Sequence, residues 1–427
     1  MQRPSRRRWV IAAALFITGG INYVDRTNLS IAAPFLSADI KLDAVHVGWL
    51  FSAFGWAYAA AQIPAGWLLD RTRPAILYSV IVCLWSLATM CVGFVGSFSA
   101  FIVCRVAVGI FESPSYLINN RIVTSWFPEN ERGRAIAFYT SAQYIGVALL
   151  TSPLVWIAAN FGWRLVFVFT GLVGLLWSIV WVKYRDPVHF GGTNAAELRL
   201  ISSGGGITDL GDRIAANRNV QTRRQTIADL SVVLGRKKLW GLYMGQFALG
   251  STQSFFFTWF PTYLIEFRHV SIVHAGIIAS VSFTAGLLGV LCGGFLSDLM
   301  LRRGFGIDLA RKVPVVGGLM FSTIIVGANY TLNESLIAVF FSIAFFANGL
   351  ASITWSLVST IAPERLIGLT SSVFNVSGWC SAIVTPILIG YLVERDFGWA
   401  LLFVGFMAVG GTLSYTFLVS RIERISG

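Results

Sequence analysis

Long unbroken apolar runs separated by short polar punctuation dominate this chain. They fall at approximately 9–38, 45–69, 74–96, 99–126, 134–158 and 162–184, then at 237–268, 272–300, 312–330, 335–360, 366–393 and 397–420. Each approaches or exceeds the roughly 20 residues that a helix needs to cross a bilayer. None alternates over about ten residues as an outer-membrane strand would. The pattern therefore predicts twelve transmembrane helices, the first long enough to tilt or protrude. The basic start at Arg3, Arg6, Arg7 and Arg8 imitates a secretory signal. The apolar run behind it outlasts an h-region of about 7 to 15 residues and lacks a convincing cleavage site, so a retained first span is expected. The polar stretch from Arg185 to about Arg236 contains Ser202, Ser203 and three glycines from Gly204. It reads as a solvated connector with a short amphipathic helix near 227–234. The expected fold is an all-α membrane protein of two six-helix lobes, 1–184 and 237–427, joined by a cytoplasmic linker, 185–236.

Composition narrows the function classes. Of 427 residues, 56% are hydrophobic and 12% charged, with a mean hydropathy of +0.70. That is about half the charge of a soluble domain, which excludes a soluble enzyme, a nucleic-acid binder and a disordered chain. The net charge of +12 follows from topology: with the N-terminus inside, cytoplasmic segments hold 25 of the 32 Lys and Arg. Four (Lys41, Arg164, Arg268, Arg395) fall outside and three inside spans. This asymmetry predicts a multi-pass inner (plasma) membrane protein with both termini cytoplasmic. Cys83, Cys91, Cys104, Cys292 and Cys380 lie within apolar runs without metal-ligand spacing. His46, His189, His269 and His274 occupy loops or span ends, and no phosphate-cradling Walker loop occurs. Neither an enzyme nor an ATP-driven pump is expected, and no metal or cofactor.

The halves repeat. Gly66 and Asp70 match Gly294 and Asp298, Pro128 and Glu129 match Pro363 and Glu364, and Gly162 and Trp163 match Gly398 and Trp399. The spacings are 228, 235 and 236 residues. Six spans plus six, with a long connector, is the layout of a two-lobed secondary transporter whose site lies between lobes at the midplane. The segment GWLLDRTR, Gly66 to Arg73, resembles the signature loop of the major facilitator superfamily. Asp70 there can pair with a cation from a neighbouring helix while Arg71 and Arg73 lie at the membrane surface, forming a latch for a two-state gate. Positive-inside anchoring is the plainer reading of the arginines. The second copy, Asp298 with Arg302 and Arg303, favours the gate.

Charges inside spans are costly and face a cavity, pair, or carry protons. Five lie away from span ends: Asp25, Arg26, Arg105, Glu112 and Arg121, all on the first and fourth spans. Arg105 and Glu112 are two turns apart, on one helix face. Arg121, nearer the cytoplasmic end, is equally read as snorkelling to the surface. Asp25 and Glu112 form either a structural ion-pair network with these arginines or the proton-carrying pair of a symporter. The C-terminal half offers Ser352, Thr354, Trp355, Asn375, Ser377 and Trp379. Singly, such hydroxyls often bond only their own backbone or a neighbouring helix. Together with an arginine they describe a site for a polyhydroxylated anion, its carboxylate on the guanidinium fork.

The segment NYVDRTNLS from Asn22 to Ser30, with RVAVGIFESP from Arg105 to Pro114, NNR at Asn119 to Arg121 and WFPENERG from Trp126 to Gly133, resembles the anion:cation symporter family. It is particularly similar to bacterial proton-coupled transporters of galactonate, glucarate and hexuronates. The resemblance implies that Asp25 and Glu112 are proton-linked, that Arg26 takes the substrate carboxylate and that Arg105 couples substrate to the acid. It also implies that Tyr23, Tyr58, Gln143, Ser352, Thr354, Trp355 and Asn375 line the cavity. The expected activity is import of a sugar acid such as D-galactonate by proton symport with alternating access, in a chain that suffices as a monomer. The rivals are a sodium-driven or uniport carrier of another organic anion and a transporter-derived sensor.

Overall fold

The structure, a computed structural model, describes residues 3–69, 72–184, 186–210, 224–363 and 366–425. Its helices are α1 (Arg7–Ile40), α2 (Ala44–Leu69), α3 (Pro74–Val92), α4 (Phe98–Glu112), α5 (Ser115–Trp126), α6 (Glu129–Phe161), α7 (Trp163–Val182) and α8 (Ala195–Ser203). They continue as α9 (Arg224–Gly235), α10 (Lys237–Thr258), α11 (Ile272–Arg302), α12 (Ile307–Ser322), α13 (Glu334–Ala351), α14 (Thr354–Ile361), α15 (Ile367–Val393) and α16 (Phe397–Leu413). A short turn (Phe260–Thr262) and a π-turn (Tyr263–Phe267) prolong α10, and Thr323–Tyr330 prolongs α12 as a 3-10 turn. Among the described residues, eight helical stretches are long and apolar enough to cross a membrane. At 34 residues α1 is about 51 Å long, well beyond the roughly 30 Å hydrocarbon core.

Two expected spans are interrupted. The fourth breaks between Glu112 and Ser115, because Pro114 has no N–H to give the Ile110 carbonyl. The Ser113 hydroxyl donates to that carbonyl instead, at 3.0 Å. The tenth breaks between Ala351 and Thr354, where Ser352 caps α13 by donating its N–H to the Gly349 carbonyl.

The chain forms two compact units, 1–28 with 56–150 and 157–220, and 29–55 with 151–156 and 221–427. The first has a core around Tyr78, Trp85, Trp126, Trp181 and Tyr184, in which α3 packs on α7. Added Cβ atoms at Gly171 and Gly174 would collide with Met90 and Ser86, so these glycines let the two backbones approach. In the second unit α11 packs on α13 through Gly286, Gly289, Gly293 and Gly349 in the same way. Around them Phe256, Phe260, Phe341 and Phe345 stack and cross at 4.2–5.9 Å. The parts of α2 and α6 assigned to this unit are tied into it: the Ser152 hydroxyl donates to the Gly276 carbonyl at 3.0 Å, and Phe51 meets Trp259 edge-on at 5.5 Å.

The linker departs from the solvated connector expected of it. In addition to α9, which covers the anticipated 227–234 helix, it contains α8, whose Asn194 cap accepts from the Glu197 N–H at 2.9 Å. Glu197 is fully buried and accepts from the Arg7 and Arg8 backbone N–H groups at 2.9 and 3.1 Å and from Arg8 Nη1 at 3.0 Å. The Ser5 hydroxyl joins them, and Arg8 Nε reaches on to Glu131 at 2.7 Å. The Glu129 N–H donates to the Gly204 carbonyl at 2.7 Å, and the Ser125 hydroxyl to the Ile207 carbonyl at 2.9 Å. The polar composition was legible; the docking was not, because each partner is far away in sequence.

Candidate functional site

In the first unit Arg26 pairs with Glu112. Its Nε donates to Glu112 Oε1 at 2.5 Å, with Nη2 equally close. Its guanidinium lies 4.5 Å from the Tyr23 ring centroid and 5.2 Å from that of Tyr58. The Glu112 side chain is fully buried and that of Arg26 is 13% exposed. A carboxylate so placed would cost several kcal/mol without its partner, which is why acid and base occur together. The cation also lies against both aromatic rings, which favours its charged form there. Helix α4 delivers Glu112 as its last residue, at the break that Pro114 imposes.

Asp25 and Arg105 stand behind this pair. Both are buried, at 1% and 4% exposure, and Arg105 interacts electrostatically with Glu112 and Asp25. Asp25 Oδ1 accepts from Asn28 Nδ2 at 3.2 Å, and the same amide donates to Thr170 Oγ1 at 2.6 Å. Gln143 is half-buried on α6. Arg121 is half-buried on α5, and its Nη1 donates to the Leu69 carbonyl at 3.0 Å, at the end of α2.

In the second unit the candidate residues gather at the α13–α14 break. Ser352 is half-buried in it, Thr354 opens α14 fully buried, and Trp355 is 48% exposed and packs edge-on against Phe374 at 5.0 Å. Asn375 follows Phe374 on α15 and is half-buried. Ser377 donates to the Tyr243 carbonyl, a backbone tie and not a free hydroxyl. Thr354 Oγ1 donates to Gln246 Oε1 of α10 at 3.2 Å. Gln246 was not anticipated, since one glutamine in an apolar helix carries no pattern; its half-buried amide adds a donor beside Thr354.

Asp70 and Arg71 lie outside the described residues. Arg73 is exposed at the N-cap of α3, and Asp298 and Arg302 are exposed near the end of α11. Among the described residues no group of His, Cys, Asp and Glu could hold a metal ion.

The first unit therefore holds two arginines, two buried acids and a pair of aromatic rings, and the second holds hydroxyls, amides and an indole. In the first unit the Arg26 guanidinium has the chemistry to pair with a carboxylate, as it does with Glu112. Comparison with known proteins agrees with this chemistry. The profile of the Major Facilitator Superfamily matches residues 15–382. The chain is 44% identical to the D-galactonate transporter of Escherichia coli O6:H1 over 425 residues, covering 99% of this chain and 98% of that protein. It is 38% identical to a probable galactarate/D-glucarate transporter of Bacillus subtilis, covering 98% and 93%. Among solved structures, a bacterial homologue of the human lysosomal transporter Spinster superposes with a TM-score of 0.76 at 18% identity, covering 97% and 98%. A transporter and not an enzyme, the chain belongs to the major facilitator superfamily.

Proposed function

We propose that this protein imports a sugar acid, with D-galactonate the first candidate, in symport with protons. The observation that carries the proposal is the Arg26–Glu112 pair between Tyr23 and Tyr58. A substrate carboxylate needs the donor fork that Glu112 now occupies, so the two carboxylates compete for one guanidinium. Protonation of Glu112 removes its charge and frees Arg26 to bind substrate. Asp25, linked electrostatically to Glu112 and Arg105, is the second proton site. Gln143, Ser352, Thr354, Trp355, Asn375 and Gln246 meet the hydroxyls and carbon chain. Substrate loading with the acids neutral favours the change of access, and release of substrate lets Glu112 ionise and recapture Arg26. The 44% identity to a D-galactonate transporter supports this substrate class.

The same reading places the chain as twelve spans in two lobes, 1–184 and 237–427, with linker 185–236 and both termini on the cytoplasmic side of the inner membrane. It further makes the monomer the working unit. Asp70, Arg71 and Arg73 with Asp298 and Arg302 serve as the gate in this scheme.

The test is external pH in a lightly buffered suspension of de-energised cells expressing the protein. D-galactonate, gluconate, glucarate, galacturonate and neutral galactose are added in turn. Alkalinisation by a sugar acid and not by galactose is expected. No response to any acid in inserted protein, or a requirement for sodium, overturns the proposal.

A further inference from the structure

The contacts around Asp25 carry one step further, resting on the reading of Asp25 as a proton carrier. Asn28, one helical turn along α1, is fully buried. Its Nδ2 sits 2.6 Å from Thr170 Oγ1 and 3.2 Å from Asp25 Oδ1. The Thr170 hydroxyl has acceptors of its own, the Val166 carbonyl 3.0 Å away and one turn back on α7 and the Asp25 carboxylate with which it interacts. The Thr170 oxygen is thus left to accept, which fixes the Asn28 amide with its nitrogen toward Thr170. The second hydrogen of that nitrogen then points to Asp25. An amide N–H donates and cannot receive a proton, so it occupies Oδ1 and leaves Oδ2 as the atom that titrates. Oδ2 is buried and accepts no well-formed hydrogen bond, while the fully buried Trp85 indole of α3 interacts with the same carboxylate.

We propose that Asn28, locked by Thr170, is a positioning residue for the proton step: it directs the proton to Oδ2 of Asp25 and sets the pH at which that proton leaves. On loading, a proton from water on one side bonds to Oδ2; on release the O–H bond breaks and the proton returns to water on the other side. The charged groups that share this environment are Glu112 and Arg105 from α4 and Arg26 beside Asp25 on α1. Trp85 from α3 and Thr170 from α7 add only neutral groups. A donor aimed at a carboxylate favours its ionised form. Removing it lets Asp25 keep its proton into more alkaline solution.

The experiment measures D-galactonate uptake as a function of external pH in proteoliposomes holding the wild type, Asn28→Leu, Thr170→Val or Asp25→Asn. Asn28→Leu is expected to move the half-maximal pH alkaline by about one unit, the size expected for one hydrogen bond to a charge. Thr170→Val, which unlocks the amide and also removes the hydroxyl that interacts with the Asp25 carboxylate, is expected to move it in the same direction. A purely structural role would lower uptake at every pH and leave the midpoint in place, and that result overturns the inference. If Asn28→Leu does not insert, Thr170→Val decides alone by the same criterion. Asp25→Asn separates the two levels: unchanged proton-driven uptake in that variant overturns the reading of Asp25 itself. Loss of it, with unmoved midpoints in the other two, overturns only the role of Asn28.

Discussion

Glu197→Ala tests how the linker is held. Glu197 lies 189 residues from Arg8, yet its carboxylate caps the start of α1, where backbone N–H groups have no acceptor one turn earlier. The variant loses two backbone bonds, the Ser5 contact and one limb of the Arg8 bridge. A lost cap costs about 1 kcal/mol. Breaking a buried ion pair costs about 3–5 kcal/mol, here at the low end because Glu131 still holds Arg8. Docking of α8 should weaken by about 3 kcal/mol, or roughly 100-fold in the opening equilibrium. Amide hydrogen exchange over residues 4–8 and 195–203, in protein held in lipid nanodiscs, reads this directly. Glu197→Gln, which keeps one acceptor, should fall between. Exchange within twofold of wild type in Glu197→Ala would refute the reasoning. The pH dependence has a definite sign. Burial pushes the Glu197 carboxyl up, but the Ser5 hydroxyl, the two backbone N–H groups and Arg8 outweigh it and hold it below the ordinary glutamate range. Its contribution is therefore complete above that ordinary value and is lost as pH falls through the depressed one.

Three further outcomes follow from the geometry. Arg26→Lys keeps the charge but loses the planar fork, and D-galactonate affinity measured by equilibrium binding should fall about 10- to 100-fold. Gln246→Leu leaves Thr354 without its acceptor and should cost about tenfold in affinity with the pH profile unmoved. Gly289→Leu drives a side chain into the Phe346 backbone and should abolish recovery of monodisperse protein, whereas Gly294→Ala, with open space around its Cβ, should change thermal stability by under about 0.5 kcal/mol.

The helical runs and the buried charges were legible in the sequence for one reason: apolar residues must be buried in lipid or protein, and an ionisable group there must have a use. Asp25, Arg26, Arg105 and Glu112 therefore stood out before any geometry, and the structure draws Arg26 and Glu112 into direct contact. The Ser113-Pro114 break was readable in principle, since proline removes a helix donor. The break at Ser352 was less readable, because its only mark, Gly349 and Ser352 close together, is a combination that unbroken membrane helices also carry. Asn28, Thr170 and Gln246 were missed because neutral polar residues are common in membrane helices and declare a role only through their neighbours.

The central claim is that Glu112 and the substrate carboxylate exchange on Arg26 under control of a proton. Glu112→Gln in proteoliposomes tests it most directly, with counterflow of labelled D-galactonate and pH-gradient-driven accumulation measured on the same preparation. The account predicts that counterflow persists, because a neutral residue leaves Arg26 available, while accumulation falls to the equilibrium level. Loss of both together in inserted protein, or survival of both, would contradict it.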